Sequence, residues 1–175
     1  QVNCEVIVSN VDEDEVKKAL QAEGADPLLI SKNLAEIKSI KVSLKNPNRL
    51  VLGADSVISL DGELINKPKS RDEAFKILKK LNNSVHFLIS SACISKNGAM
   101  IWNHTNSSEL KMKNLSEKQI EKYLEKIETK ILLSYGVYQI EAEGLHLFEY
   151  IKGDHNSIMG LPVKDIINYL KQQKK

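Results

Sequence analysis

Cysteine is scarce in this chain. Its two copies, Cys4 and Cys93, sit far apart in strand-like runs with no metal-type partner at short spacing, so no disulfide framework is expected and both read as reduced core or near-core residues. The four histidines, His86, His104, His146 and His155, also lack a second ligand at zinc-like spacing. Aromatics make up 5% of the chain and do not interleave with basic residues, so a stacking platform for nucleic acid has no support. Charge of one sign is lacking too: 25 Lys and Arg stand against 23 Asp and Glu, a net +2. That balance excludes the polycationic field that would gather nucleic acid or an anionic membrane. No apolar run approaches the length of a membrane span, and no secretory leader opens the chain, so the expected location is the cytoplasm. The phosphate-loop, nucleophile-elbow and dinucleotide signatures are missing as well.

What remains is an ordinary globular composition, with 42% hydrophobic and 27% charged residues over 175 positions. That length suits one domain with a sizeable core, and residues 1–175 are read as a single domain. The chain opens with Gln1 and enters a strand-like run, "CEVIVSN", almost at once. Such a start inside an element leads to the expectation that natural residues precede it.

Along the chain, Cys4–Ser9 reads as a strand and Asp12 to about Ala22 as a short polar helix. Asp26-Pro27 is a helix opening, with Asp as N-cap and Pro in the first position. An apolar stripe follows at Ile30, Leu34, Ile37 and Leu44. Arg49–Asp55 is a strand that continues through Val57–Leu60 into the turn Asp61-Gly62. Ser70-x-x-Glu73 opens a helix over Arg71–Leu81, and Ser116-x-x-Gln119 another over Glu117–Ile127. Between them, Val85–Ser95 and Met100–Lys113 are strands joined at Asn97-Gly98. "GVYQIEAEG" reads as extended and "LHLFEYI" as a strand, and a last helix covers Val163–Lys171. Separated strands with a central hairpin predict an α/β fold with a mixed β-sheet.

Chemistry concentrates first at Asp55. A carboxylate at the carboxyl end of a buried strand, behind the small Gly53 and Ala54, sits where α/β sheets place ligand clefts. A turn-capping carboxylate would look the same locally, and the two readings stand level. Lys67 precedes Pro68, which holds it extended; a directed ammonium near a carboxylate suits a phosphate substrate, but on the local pattern alone a surface lysine before a helix is the stronger reading. The run Asp12, Glu13, Asp14 and Glu15 offers oxygen ligands for Mg²⁺, though such a run is more often a solvated helix start, favoured by the helix dipole.

Six blocks in order narrow these readings: "VDE" (Val11–Glu13), "LAEIKSIKV" (Leu34–Val42), "LGADSV" (Leu52–Val57), "LDGELINKP" (Leu60–Pro68), "GVYQIEAEGLHLFEYIKGD" (Gly136–Asp154) and "IMGLPV" (Ile158–Val163). Together they resemble the Maf family of nucleotide pyrophosphatases, over nearly the whole chain. The resemblance implies two lobes flanking a deep cleft, often a homodimer, and hydrolysis of nucleoside triphosphates between the α and β phosphates with a divalent metal, Mg²⁺ or Mn²⁺. It implies Asp55 as catalytic carboxylate and metal ligand, Glu13 as a second acidic group near the metal, and Lys38 and Lys67 as phosphate-binding cations.

Two departures bear on these roles. The family's first strand and its Ser-x-Ser-x-Arg-Arg phosphate loop are not in this sequence, so the domain is expected to lack them here. The second departure concerns the base. In the dTTP/UTP branch a Thr follows the catalytic Asp and a Gln follows Gly-x-Tyr-x-Ile; here those places hold Ser56 and Glu141. A Glu carboxylate only accepts, which suits the N1–H and N2–H₂ donors of a guanine-type base. The continuation "EGLHLFEYIKGDHNSIMGLP" also resembles the 7-methyl-GTP branch. Tyr138 stands open between stacking on the base and filling the core. The competing readings are a dTTP/UTP pyrophosphatase, a nucleotide-sensing regulator of cell division without turnover, and an inosine-triphosphate-type hydrolase.

Overall fold

A computed structural model describes residues 3–140 and 143–173. Helices α1 (Glu13–Ala22) and α2 (Pro27–Ser43) come first, followed by strand β1 (Val51–Leu60), the short β2 (Glu63–Ile65) and helix α3 (Arg71–Leu81). Strands β3 (Val85–Lys96) and β4 (Ala99–Met112) form the central hairpin. Helices α4 (Glu117–Glu125) and α5 (Thr129–Tyr135), a 3-10 turn at Glu143–Leu147, β5 (Phe148–Lys152), α6 (His155–Ile158) and α7 (Val163–Gln172) complete the chain.

The helix starts follow the expected capping chemistry. Asp12 and Asp26 accept from the backbone N–H groups of Glu15 and Leu29, and Ser116 with Gln119 forms a reciprocal capping box. Both hairpin turns carry positive φ at two successive residues, Asp61-Gly62 and Asn97-Gly98, the backbone twist that suits tight hairpins.

The α/β class holds, but the expected mixture of parallel and antiparallel strands does not. The sheet order is β2-β1-β3-β4-β5, and each pairing is antiparallel. Tight hairpins join β1 to β2 and β3 to β4, while the long connections through α3 and through α4 and α5 also return their strands antiparallel, so a long helical connection does not by itself make parallel neighbours.

Alternation along the strands divides the side chains between two faces. On one face β1 and β3 turn Gly53, Asp55, Ser91, Cys93 and Ser95 toward α2. On the other, Leu60, Leu110, Met112 and Phe148 pack with Leu78 and Leu81 of α3, Ile120 and Leu124 of α4, and Leu132 of α5. A smaller cluster joins Ala92 and Ile94 to Ile166 of α7. Each large aliphatic side chain buried there contributes about 1.5–3 kcal/mol.

Several expectations need correction. Cys4–Ser9 is not a strand: no sheet neighbour lies along it, and Val6 and Val8 are exposed. Apolar alternation supplies a face to bury but not the ladder that makes a strand. Cys4 is accordingly exposed, while Cys93 is in the core. Leu44 of the expected α2 stripe is exposed, and the helix buries Ser31, Ser39 and Ser43 instead. Residues 143–147 coil into a 3-10 turn, so the last strand begins only at Phe148. Helices α5 and α6 were not anticipated; α5 opens at Glu128 without a side-chain cap, which left it no signature.

Candidate active site

Strand β1 is covered by β2 only from Ile58 onward. Residues 54–58 of β1 run along a cavity of about 460 Å³ lined by Lys17, Lys38, Asp55, Ser56, Lys67 and the segment 134–140, among others. The sequence placed Lys38, Asp55, Ser56 and Lys67 at a common site, and the structure brings all four to this cavity.

Asp55 is buried by α2, and the packing there is unusually close. A methyl group on Gly53 would collide with the Ala35 carbonyl oxygen and lie 2.7 Å from the Ser39 nitrogen. Only glycine allows the helix to approach so near, and that approach carries Lys38 over the strand. The Lys38 ammonium donates to Asp55 Oδ1 at 2.8 Å, to Glu13 Oε1 at 2.6 Å and to the Ala54 carbonyl oxygen at 3.4 Å. Its three protons are thereby matched to three acceptors. Ser31 secures the strand from behind: its hydroxyl lies 3.1 Å from the Asp55 carbonyl oxygen and 2.9 Å from the Ser91 hydroxyl.

The electrostatics follow from this arrangement. Burial pushes the Asp55 carboxyl above its ordinary value, and the Lys38 ammonium pulls only partly against it. Burial works to lower the Lys38 pKa, but the Asp55 and Glu13 carboxylates outweigh it and hold the ammonium protonated. Burial would raise Glu13, yet its bond to Lys38 and the charges of Lys38, Lys67 and Lys17 bring it below the usual range. The second Asp55 oxygen, Oδ2, is buried without a hydrogen-bond partner.

Lys17 is the residue that sequence reasoning missed. It is largely buried, lines the cavity, and acts on both carboxylates through its charge. A lysine in a polar amphipathic helix carries no local signature of a site; only the packing of α1 beside α2 turns it inward. Among the described residues, Lys17 and Lys67 make no hydrogen bond or ion pair, so their ammonium groups are free for an anion. Tyr138 is a core residue: it is buried, meets Phe148 edge-on at 4.9 Å and shares a 2.9 Å hydrogen bond with His86. Glu141 lies outside the described residues.

No cluster of three or more metal-ligating side chains occurs among the described residues. A hard divalent cation that keeps its waters needs only one or two carboxylates plus substrate oxygens. The unpartnered Asp55 Oδ2 and the neighbouring Glu13 carboxylate fit that demand.

The family model for Maf-like proteins matches residues 1–173. A nucleoside triphosphate pyrophosphatase of Pelagibacter ubique is 56% identical over 163 residues, which is 93% of this chain and 84% of that protein. One from Ruegeria sp. TM1040 is 39% identical over 169 residues, covering 97% of this chain and 85% of its own. A protein named 7-methyl-GTP pyrophosphatase, from Bartonella henselae, is 40% identical over 159 residues, 91% of this chain and 79% of its own.

Proposed function

For a chain that belongs to the Maf-like protein family, we propose the activity of a nucleoside triphosphate pyrophosphatase, releasing a nucleoside monophosphate and pyrophosphate. One observation carries the reading: a buried carboxylate, Asp55, is held at one oxygen by Lys38 and left without a partner at the other, beside two uncommitted ammonium groups.

In this reading Lys17 and Lys67 bind phosphate oxygens and offset the charge of the triphosphate. Lys38 fixes Asp55 and Glu13, and would turn toward the phosphate chain the proton that it gives the Ala54 carbonyl oxygen at 3.4 Å. Asp55 Oδ2 accepts a proton from water as its oxygen bonds to the α-phosphorus. The bond from that phosphorus to the bridging oxygen breaks, and the electron pair leaves with pyrophosphate. Burial raises the basicity of Asp55, which favours proton acceptance. Asp55 and Glu13 would hold a Mg²⁺ or Mn²⁺ ion, and the ion would supply charge neutralisation on the phosphate oxygens. A sensing protein would need the cations but not a desolvated carboxylate with a free oxygen, so turnover is favoured over binding alone.

For the base, a guanine-type nucleotide is favoured. Glu141 offers only acceptors to the base edge, and one relative is named for 7-methyl-GTP. The test is pyrophosphate release over a panel of nucleoside triphosphates with Mg²⁺ or Mn²⁺. Turnover that vanishes in Asp55→Asn while nucleotide still binds supports the reading; equal turnover in both proteins sinks it. Glu141→Gln should move preference toward UTP and dTTP, and an unchanged profile removes Glu141 as the reader of the base.

A further inference from the structure

Ser56 stands next to Asp55 in β1 but points to the opposite face, as strand alternation requires. It lines the same cavity and lies beside Gly160, with its hydroxyl 3.5 Å from the Gly160 carbonyl oxygen, while Lys38 and Asp55 gather on the α2 side. If phosphates take the cations, Ser56 faces the nucleoside.

The proton of Ser56 can be located by elimination. Ser90, directly across the ladder from Ser56, is buried, and its hydroxyl has one proton. That hydroxyl lies 2.8 Å from the Ser157 carbonyl oxygen, which has no proton to give. Two oxygens at that distance without a proton between them would repel, so Ser90 donates to Ser157. The carbonyl is itself held in place, because the Asp154 carboxylate accepts from the backbone N–H and the hydroxyl of Ser157. The Ser56 hydroxyl is also 2.8 Å from Ser90. Ser90 has already spent its proton, so Ser56 must donate to Ser90. The Gly160 carbonyl oxygen, at 3.5 Å from Ser56, then goes without that proton.

We propose that Ser90 is a positioning residue: it ties up the Ser56 proton, so that Ser56 shows the cavity only acceptor lone pairs and selects a nucleoside bearing a hydrogen-bond donor at that point. The donor is an N–H of the base or a hydroxyl of the sugar. The inference rests on the pyrophosphatase reading and adds a polarity to it. It adds a second acceptor, Ser56, to the one proposed above for the base.

The experiment measures kcat and KM for pyrophosphate release by the full chain with GTP, with ITP, which lacks the exocyclic amine, and with deoxy-GTP, which lacks the 2′-hydroxyl. UTP, 3-methyl-UTP and deoxy-UTP serve as pyrimidine counterparts. In the wild type, one analogue that lacks a donor should lose about threefold to tenfold in kcat/KM, the range of one uncharged hydrogen bond, with the loss mainly in KM. A loss confined to ITP or 3-methyl-UTP assigns the donor to the base; a loss confined to the deoxy forms assigns it to the sugar. In Ser90→Ala the Ser56 proton is freed, and the discrimination should fall to within about twofold, with the change carried mainly by KM. Ser56→Ala should erase the same discrimination, and it decides the matter if Ser90→Ala does not fold. Turnover with ratios equal to wild type in the folded variants overturns the inference and leaves the pyrophosphatase reading standing. No pyrophosphate from any of the six nucleotides sinks that reading, and the inference with it.

Discussion

Against α2, the sheet turns small and polar side chains: Gly53, Asp55, Ser91, Cys93 and Ser95. Against α3, α4 and α5 it turns Leu60, Leu110, Met112 and Phe148. The second face is held by apolar burial, which has no direction and tolerates adjustment. The first is held by close approach and by hydroxyls that satisfy one another, as Ser31 does with Ser91 and Ser39 with Ser95 at 2.7 Å. Small residues let the helix come near enough to exclude water from Asp55 and still present Lys38 to it. A leucine-lined interface would keep the helix farther from the strand and could not set an ammonium against the carboxylate at 2.8 Å. The hydroxyl face is therefore where the proposed chemistry sits, and the apolar face carries the larger buried hydrophobic cluster.

Substitutions on the two faces should separate rate from stability. The largest effect is expected from Asp55→Asn, with turnover falling by about a thousandfold, in the range of a lost general base. Its thermal midpoint should hold or rise, because a desolvated carboxylate is removed. On the apolar face Leu78→Ala should do the reverse, costing about 2–5 kcal/mol of stability while the folded fraction keeps its kcat. Pyrophosphate release set beside chemical denaturation measures both. A large stability loss in Asp55→Asn, or a large kcat loss in Leu78→Ala, would break the division.

The faces should also respond to pH with opposite sign. His86 is fully buried on the apolar face, and burial pushes its imidazole down to about 4, against a minor opposing bond at Ser84. The unfolded chain therefore binds a proton that the fold refuses. Stability from His86 is complete above about pH 6.5 and is lost as pH falls toward about 4, on the order of 3 kcal/mol in all. Asp55 is raised in the fold, so its contribution is present at low pH and is lost as pH rises through its folded value. Subtracting the pH–stability curves of His86→Phe and Asp55→Asn from wild type should give slopes of opposite sign, and slopes of one sign would remove the contrast.

The smallest of these effects belongs to Gly53→Ala. The added methyl meets backbone, not a flexible side chain, so α2 must shift, at about 1–3 kcal/mol. Because Lys38 rides on α2, activity should fall together with stability. Stability lost with activity intact would show that the pairing of Lys38 with Asp55 does not depend on this approach.

Much of the site was legible in the order of residues. Lys38 was named only through the family resemblance. Asp55 follows an apolar run and Lys67 is held by Pro68, so each had a local reason to be noticed, although β1 runs on through Asp55 to Leu60 and does not end there. Lys17 had none, and neither did Ser90, whose role depends on a partner 34 residues away. The strand read at Cys4–Ser9 failed for the converse reason: its pattern was local, and the neighbour it required was not there.

The sequence by itself determined what acts over a few residues: caps at Asp12, Asp26 and Ser116, tight turns at Asp61-Gly62 and Asn97-Gly98, and the apolar runs of the central hairpin. These depend on the hydrogen-bonding reach and backbone freedom of single residues. The tertiary structure alone decided that the strands pair antiparallel throughout, that α2 buries serines in place of Leu44, and that Lys17 joins Lys38 and Lys67 around Asp55. Such outcomes depend on which surfaces meet across long stretches of chain. Hydroxyl matching, desolvation and charge pairing come into being only when those surfaces close against one another.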